Sequence, residues 1–295
     1  MVELREEKRG TKTYFYLEHS VRDGGSVFKK RQYLGDTIPK DIEEAKRQFF
    51  HKIFKERWLP NLEEIQKNYT KHKKTLPPSA KDKAIENFVI KFTYDTQRIE
   101  GSTLSLRDTA NLLQKGLTPK AKSIDDVKEA ESHKKVFYHM LKERNLSFQA
   151  VLRWHHNLLT DTKPDIVGKI RSHQVAIGGS KFLPPSPVEV DFMLRNFFDW
   201  YKENKGKTHP VELAALVHLK FVTIHPFTDG NGRISRLMMN FVLNEGKCPL
   251  FSIPYTGRDS YYTALERAQL KKQEYIFVQW FVKKYIKEIK KWLSS

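Results

Sequence analysis

The 295-residue sequence holds one cysteine, Cys248. A lone thiol closes no intrachain disulfide and completes no cysteine-based metal cluster, which excludes disulfide scaffolds and zinc fingers. With Pro-Leu-Phe following, it reads as a buried structural thiol. No apolar run approaches the roughly 20 residues that a membrane-spanning helix needs. The opening MVELREEKRGTK lacks the apolar centre of a signal peptide, so the expected location is the cytoplasm. Carboxylates are short relative to cations, 35 Asp plus Glu against 53 Lys plus Arg, for a formal charge of +18. Such an excess attracts nucleotides, nucleic acid or acidic proteins through the long-range field. The lysines are spread along the chain, however, and the densest runs, Lys71–Lys74 and Lys287–Lys291, read as solvated helix faces. No RNA-recognition signature, Walker A loop or repeat of 20–50 residues is present.

What is there is mostly helical. Hydrophobic residues make up 39%, enough for a sizeable core. Residues 13–34 read as a β-hairpin, Tyr14 and Tyr16 alternating before the turn Asp23-Gly24-Gly25. From Pro39 to about Tyr69 the apolar spacing becomes helical, and KHKKTLPPS (residues 71–79) marks a boundary. Two regions follow: an N-terminal accessory region, 1–79, and a helical domain, 80–295. Helices are expected over 80–98, 104–114, 123–143, 147–160, 188–204, 209–224, 231–245, 258–270 and 273–293. Ser123, Ser147, and Thr208 with Pro210 signal three of the starts. Residues 171–187, RSHQVAIGGSKFLPPSP, break the helical pattern and read as a small hairpin or flap.

The informative segment is HPFTDGNGRISR, residues 225–236, between two apolar helices. A polar, glycine-rich loop ending at a helix N-terminus offers free N–H groups and the positive end of the helix dipole, a fit for phosphate. Gly230 and Gly232 permit close backbone approach, and Asn231 adds an amide between them. Arg233 and Arg236 are one turn apart and can face the same anion. Asp229 is a hard oxygen ligand beside that anion, suited to Mg²⁺, and His225 can accept a proton near neutral pH. Base, anion nest, metal carboxylate and two arginines within twelve residues point to a phosphate-handling site.

At every defined position this segment resembles the Fic motif, HPFx[DE]GNGRxxR. The resemblance extends over roughly residues 80–285. It implies a mainly α, Fic-type helical bundle with a small β-hairpin flap, here preceded by an N-terminal β-hairpin and helical extension. It also implies an Mg²⁺- or Mn²⁺-dependent transfer of AMP from ATP to a Ser, Thr or Tyr hydroxyl of a target protein, or of the chain itself. His225 would be the base, Phe227 the loop's anchor and Asp229 the metal ligand. Gly230, Asn231, Gly232, Arg233, Ile234 and Ser235 would line the phosphates, with Arg236 at the γ-phosphate. Val175, Ala176, Ile177 and Gly178 match the flap beside the nucleotide. Tyr261, Tyr262 and Gln269 match the helix on the nucleoside side, although Val175, Ile177 and the tyrosines also read as core packing.

TQRIEGS, residues 96–102, is similar to the family's inhibitory motif [ST]xxxE[GN], at the end of a helix spanning about 80–101. The resemblance implies that Glu100 pairs with Arg236 and blocks the γ-phosphate; Gly101 suits a left-handed helix cap. Three alternatives stay open: another nucleotide donor, removal of AMP, and a nucleic-acid-associated regulator using the basic N-terminal region, for which no motif speaks. No membrane partner is expected, and a homo-oligomer is compatible with the reading.

Overall fold

The computed structural model describes residues 2–23 and 26–293. Gly24 and Gly25 of the expected hairpin turn lie outside them. The chain divides into two compact units, Met1–Glu64 and Ile65–Ser295. The division falls inside a helix, upstream of the Pro-Pro segment at which the sequence suggested a boundary.

The first unit contains three antiparallel strands in the order β1 (Val2–Arg9), β2 (Lys12–Asp23), β3 (Ser26–Gly35). The sheet therefore has one strand more than the expected hairpin. β1 escaped notice because six of its eight residues are charged, leaving only Val2 and Leu4 to show the period of two; Leu4 pairs with Leu17 and Val2 with His19. Leu17 and His19 are buried, and the His19 ring meets Phe50 of α1 (Ile42–Arg57) edge-on. The opposite sheet face shows Tyr14, Tyr16 and Tyr33, with Arg9 and Arg31 over two of the rings. Asp41 caps α1 by accepting from the Glu44 N–H. The helical stretch expected without a break over 39–69 is two helices, because Pro60 suits a helix's first turn and starts α2 (Leu59–Thr75).

In the second unit α3 (Pro78–Ile99), α4 (Leu106–Lys115), α5 (Ile124–Lys142), α6 (Phe148–Leu159), α7 (Pro187–Asn204), α8 (Pro210–Ile224), α9 (Asn231–Glu245), α10 (Arg258–Leu270) and α11 (Glu274–Leu293) follow the sequence pattern closely. Ser123 and Ser147 cap as their positions suggested, whereas α8 is capped by His209, one residue after the expected Thr208. α8 is apolar on every side, with Val211, Leu213, Ala214, Val217, Phe221 and Ile224 all buried, so it takes the centre and packs against α7, α9 and α11. The α8–α9 connection is the loop of interest, and it is thus held between the two most buried helices.

Candidate active site

His225 ends α8 in the left-handed conformation, φ 52° and ψ 57°, unusual for a residue with a side chain. Its ring Nδ1 lies 3.2 Å from the Val222 carbonyl. A carbonyl can only accept, so Nδ1 carries the proton and Nε2 keeps its lone pair. Burial lowers the imidazole pKa and keeps the ring neutral near pH 7, the form required of a proton acceptor. Phe227 is fully buried and stacks on His155 at 3.8 Å between ring centres. Nδ1 of His155 accepts from the Gly168 N–H, and Nε2 donates to the Asp229 carbonyl. Desolvation lowers His155 to about 4, so this strut stays neutral.

The chain then turns through Gly230, φ 82°, where a Cβ would crowd Leu159 at 3.2 Å and His155 at 3.3 Å. α9 starts at once, and its first backbone bond joins the Ile234 N–H to the Gly230 carbonyl. The N–H groups of Asn231, Gly232 and Arg233 have no backbone acceptor among the described residues, the geometry that an anion nest at a helix start requires. The Asn231 side chain differs from expectation. Its Oδ1 accepts from the Phe227 N–H at 2.9 Å and its Nδ2 donates to the Phe227 carbonyl at 2.8 Å. Both amide atoms close the loop, leaving only the backbone of Asn231 for an anion.

The two arginines do not share a partner either. Arg233 bonds Glu129 of α5, and its Nη2 donates to Asp229 Oδ2 at 3.0 Å; its buried Nε has no partner among the described residues. Arg236, 1% exposed, donates from Nη2 to Glu100 Oε1 at 2.6 Å and to the Thr96 carbonyl, and from Nε to Thr96 Oγ1. Burial lowers the Arg236 pKa, but the Glu100 carboxylate reverses this and the net shift is upward, so the group stays charged. Glu100 also lies over the nest: a Cβ added at Gly232 would run into its carboxylate. The resemblance to the inhibitory motif implied that Glu100 meets Arg236, and the structure brings the two together.

Burial raises the Asp229 pKa, yet Arg233 and Lys163 outweigh it, and the carboxyl is held at about 2. Asp229 therefore stays ionised. No group of three or more His, Cys, Asp or Glu able to hold a metal occurs among the described residues. One ionised carboxylate beside an anion nest fits Mg²⁺ or Mn²⁺ whose remaining ligands are phosphate oxygens and water.

The flap residues show no strand pairing among the described residues, in contrast to the expected β-hairpin. Pro184 and Pro185 bring no N–H to a ladder, and side chains do the joining instead. Buried Arg171 donates to the carbonyls of His173, Pro185 and His225, and Gln174 to that of Pro184. A turn at Gly178-Gly179 closes with the Ser180 N–H on the Ile177 carbonyl, and Val175 through Gly178 lie along the arm before it. Tyr261 is sealed in the core, its OH between Arg236 Nη1 and His218 Nε2. Tyr262 is half-exposed and donates to the Ile99 carbonyl, and Gln269 donates to Thr223. Ile234 and Ser235 are buried, and Ser235 Oγ bonds the Gly232 carbonyl. Arg171, Glu129, Lys163 and His155 were missed in the sequence. Each lies at least 54 residues from its partner in the loop, and none stands in a pattern that marks it.

A left-handed histidine, a glycine turn and an arginine-bearing helix start thus lie together within a helical body. Residues 145–243 match the model of the Fic/DOC family. Protein adenylyltransferase Fic of Drosophila ananassae is 35% identical over 180 residues, 59% of this chain and 36% of that protein. Protein adenylyltransferase fic-1 of Caenorhabditis elegans is 35% identical over 186 residues, 61% and 36% of the two chains. The chain thus spans little more than a third of the length of these relatives. Among solved structures, a Fic-domain-containing signaling protein from Bacteroides thetaiotaomicron superposes with a TM-score of 0.71 at 27% identity, covering 78% of this chain and 94% of its own. Fic-1 of C. elegans superposes with 0.72 at 26% identity, covering 86% and 76%.

Proposed function

We propose that this chain is a protein adenylyltransferase, moving AMP from ATP to a hydroxyl of a protein, and that Glu100 restrains it. The observation that carries the proposal is the conjunction at residues 225–236 of a neutral, Nδ1-protonated His225 with the start of α9 at Asn231, four residues beyond Phe227, whose first N–H groups have no backbone acceptor among the described residues. The names of the relatives support the class of reaction. In this reading His225 Nε2 takes the proton of the target hydroxyl as its oxygen bonds to the α-phosphorus. The bond from the α-phosphorus to the bridging oxygen breaks, and pyrophosphate leaves with the electron pair. The N–H groups of residues 231–233 and the Arg233 guanidinium hold the phosphates. Asp229 would hold Mg²⁺, which neutralises phosphate charge when bound. Arg236, once free of Glu100, would meet the γ-phosphate. The flap arm, Val175–Gly178, and the Tyr262 and Gln269 side would border the nucleoside.

Incubating the protein with α-labelled ATP, CTP, GTP or UTP, with and without Mg²⁺, tests the reading. Label should enter protein from ATP in the presence of Mg²⁺. His225→Ala should lose label by on the order of a thousandfold while still binding ATP. Labelling by that variant at the wild-type rate rejects the mechanism.

A further inference from the structure

Lys163 has no counterpart in the loop motif, yet it contacts the carboxylate to which the metal is assigned. Its backbone is fixed at the end of α6, the N–H bonded to the Leu159 carbonyl at 2.8 Å, with Pro164 following. From there its ammonium reaches Asp229 Oδ2 and lies 3.8 Å from Glu129 Oε1. Arg233 bonds the same two carboxylates, so two cations and two anions alternate in a closed square.

The coordination of Asp229 is nearly complete. Oδ1 accepts from the Gly230 N–H at 2.6 Å, and Oδ2 accepts from both Arg233 and Lys163. A carboxylate oxygen has two lone pairs, so Oδ2 has none to spare. A divalent cation arriving at Asp229 meets an ammonium and a guanidinium on the same carboxylate, and like charges this close repel, so its binding favours release of a donor. Arg233 is 2% exposed and pinned by Glu129; Lys163 is 43% exposed on a flexible stem. Lys163 is the donor able to leave.

We infer that Lys163 acts as a built-in competitor of the divalent cation. It holds Asp229 while the metal is away and raises the cation concentration needed to load the site. The inference rests on the proposed role of Asp229 and deepens it. Glu129 completes the device: when Lys163 leaves Asp229, the ammonium keeps an acceptor one step away. The competing picture is a lysine that binds phosphate directly, and it predicts the opposite sign on removal.

The test reads binding alone. The affinity for a non-hydrolysable ATP analogue is measured by calorimetry in Mg²⁺ and again in EDTA, for wild type, Lys163→Met, Lys163→Arg and Asp229→Ala, with Lys169→Met as a nearby charge control. The ratio of the two dissociation constants is the magnesium gain. Removing one charge-assisted hydrogen bond should raise that gain on the order of tenfold in Lys163→Met. Lys163→Arg and Lys169→Met should keep the wild-type gain. An unchanged gain in Lys163→Met, or weaker binding in both Mg²⁺ and EDTA, overturns the competitor. Asp229→Ala separates the two readings, because retention of the full gain there would reject Asp229 as the metal ligand whatever Lys163 does. Loss of the gain in Asp229→Ala with no rise in Lys163→Met would reject the lysine alone.

Discussion

Arg233 and Arg236 lie one turn apart on the same helix, 2% and 1% exposed, and each bonds a carboxylate. They are nevertheless opposite devices. The partners of Arg233 are Asp229, which belongs to the loop itself, and Glu129; both stay in the machinery. The partner of Arg236 is Glu100, which arrives from another helix and lies over Gly232, where an anion should sit. In the proposed reading one ion pair assembles the site and the other fills it. Equal burial and equal chemistry therefore do not imply equal function; what decides is whether the carboxylate is needed once the nucleotide arrives.

Removing each carboxylate is the direct way to break this comparison, and the two results should have opposite signs. Asp229→Ala should cut AMP incorporation about a hundredfold and flatten its response to Mg²⁺, because the hard ligand goes and Arg233 loses its orienting partner. Cation titration of the labelling rate checks this. Glu100→Gly should raise incorporation about tenfold or more, since a bidentate phosphate donor is freed and a repelling charge removed. Arg236→Ala should not activate, because in the proposed reading Glu100 and the γ-phosphate share that one partner. Labelling by Glu100→Gly no faster than wild type would make Glu100 an ordinary helix-end residue.

A third variant sharpens the contrast by leaving both arginines alone. Asn231→Ala strips the loop of two buried hydrogen bonds to Phe227 and should cost about 2 kcal/mol, near 5 °C in Tm, by calorimetry. A mere phosphate contact would leave Tm unchanged. The smallest effect concerns pH. Burial lowers the His225 pKa, so the neutral base persists below the ordinary imidazole value of 6.5. The acid limb of the rate should accordingly fall below pH 6.5, and a limb above it would mean another group carries the proton.

Much of this was legible in the sequence. The nine helices of the second unit follow from periodicity and caps, because α8 and α9 carry dense apolar patterns and Ser123 and Ser147 precede theirs. His225, Asp229 and Arg236 stood out because one contiguous loop holds them. Less legible were contacts that cross the fold. Nothing near Lys163 or Arg171 announces a partner in the loop, and a single strand of alternating charges hid β1. The Asn231 amide was assigned to an anion because the type of residue suited one; only the geometry shows it tied to Phe227.

The anchorage of α3 bears on how quickly Glu100 can release Arg236. Asp95, buried, accepts from Lys91, from Ser252 and from the Tyr255 N–H, and Arg98 lies over the Tyr255 ring at 4.6 Å. Tyr262 adds a bond to Ile99. The helix is thus fastened on the residue before Glu100, while the Glu100 side chain stays 31% exposed and Gly101 beyond it, φ 101°, has open space around it. Freeing Arg236 then asks for a rotation of one side chain, a motion of nanoseconds, and not for undocking a helix over microseconds or longer. If Glu100 is the proposed restraint, stopped-flow addition of nucleotide should accordingly show no lag and no memory of earlier exposure, because the carboxylate never travels far.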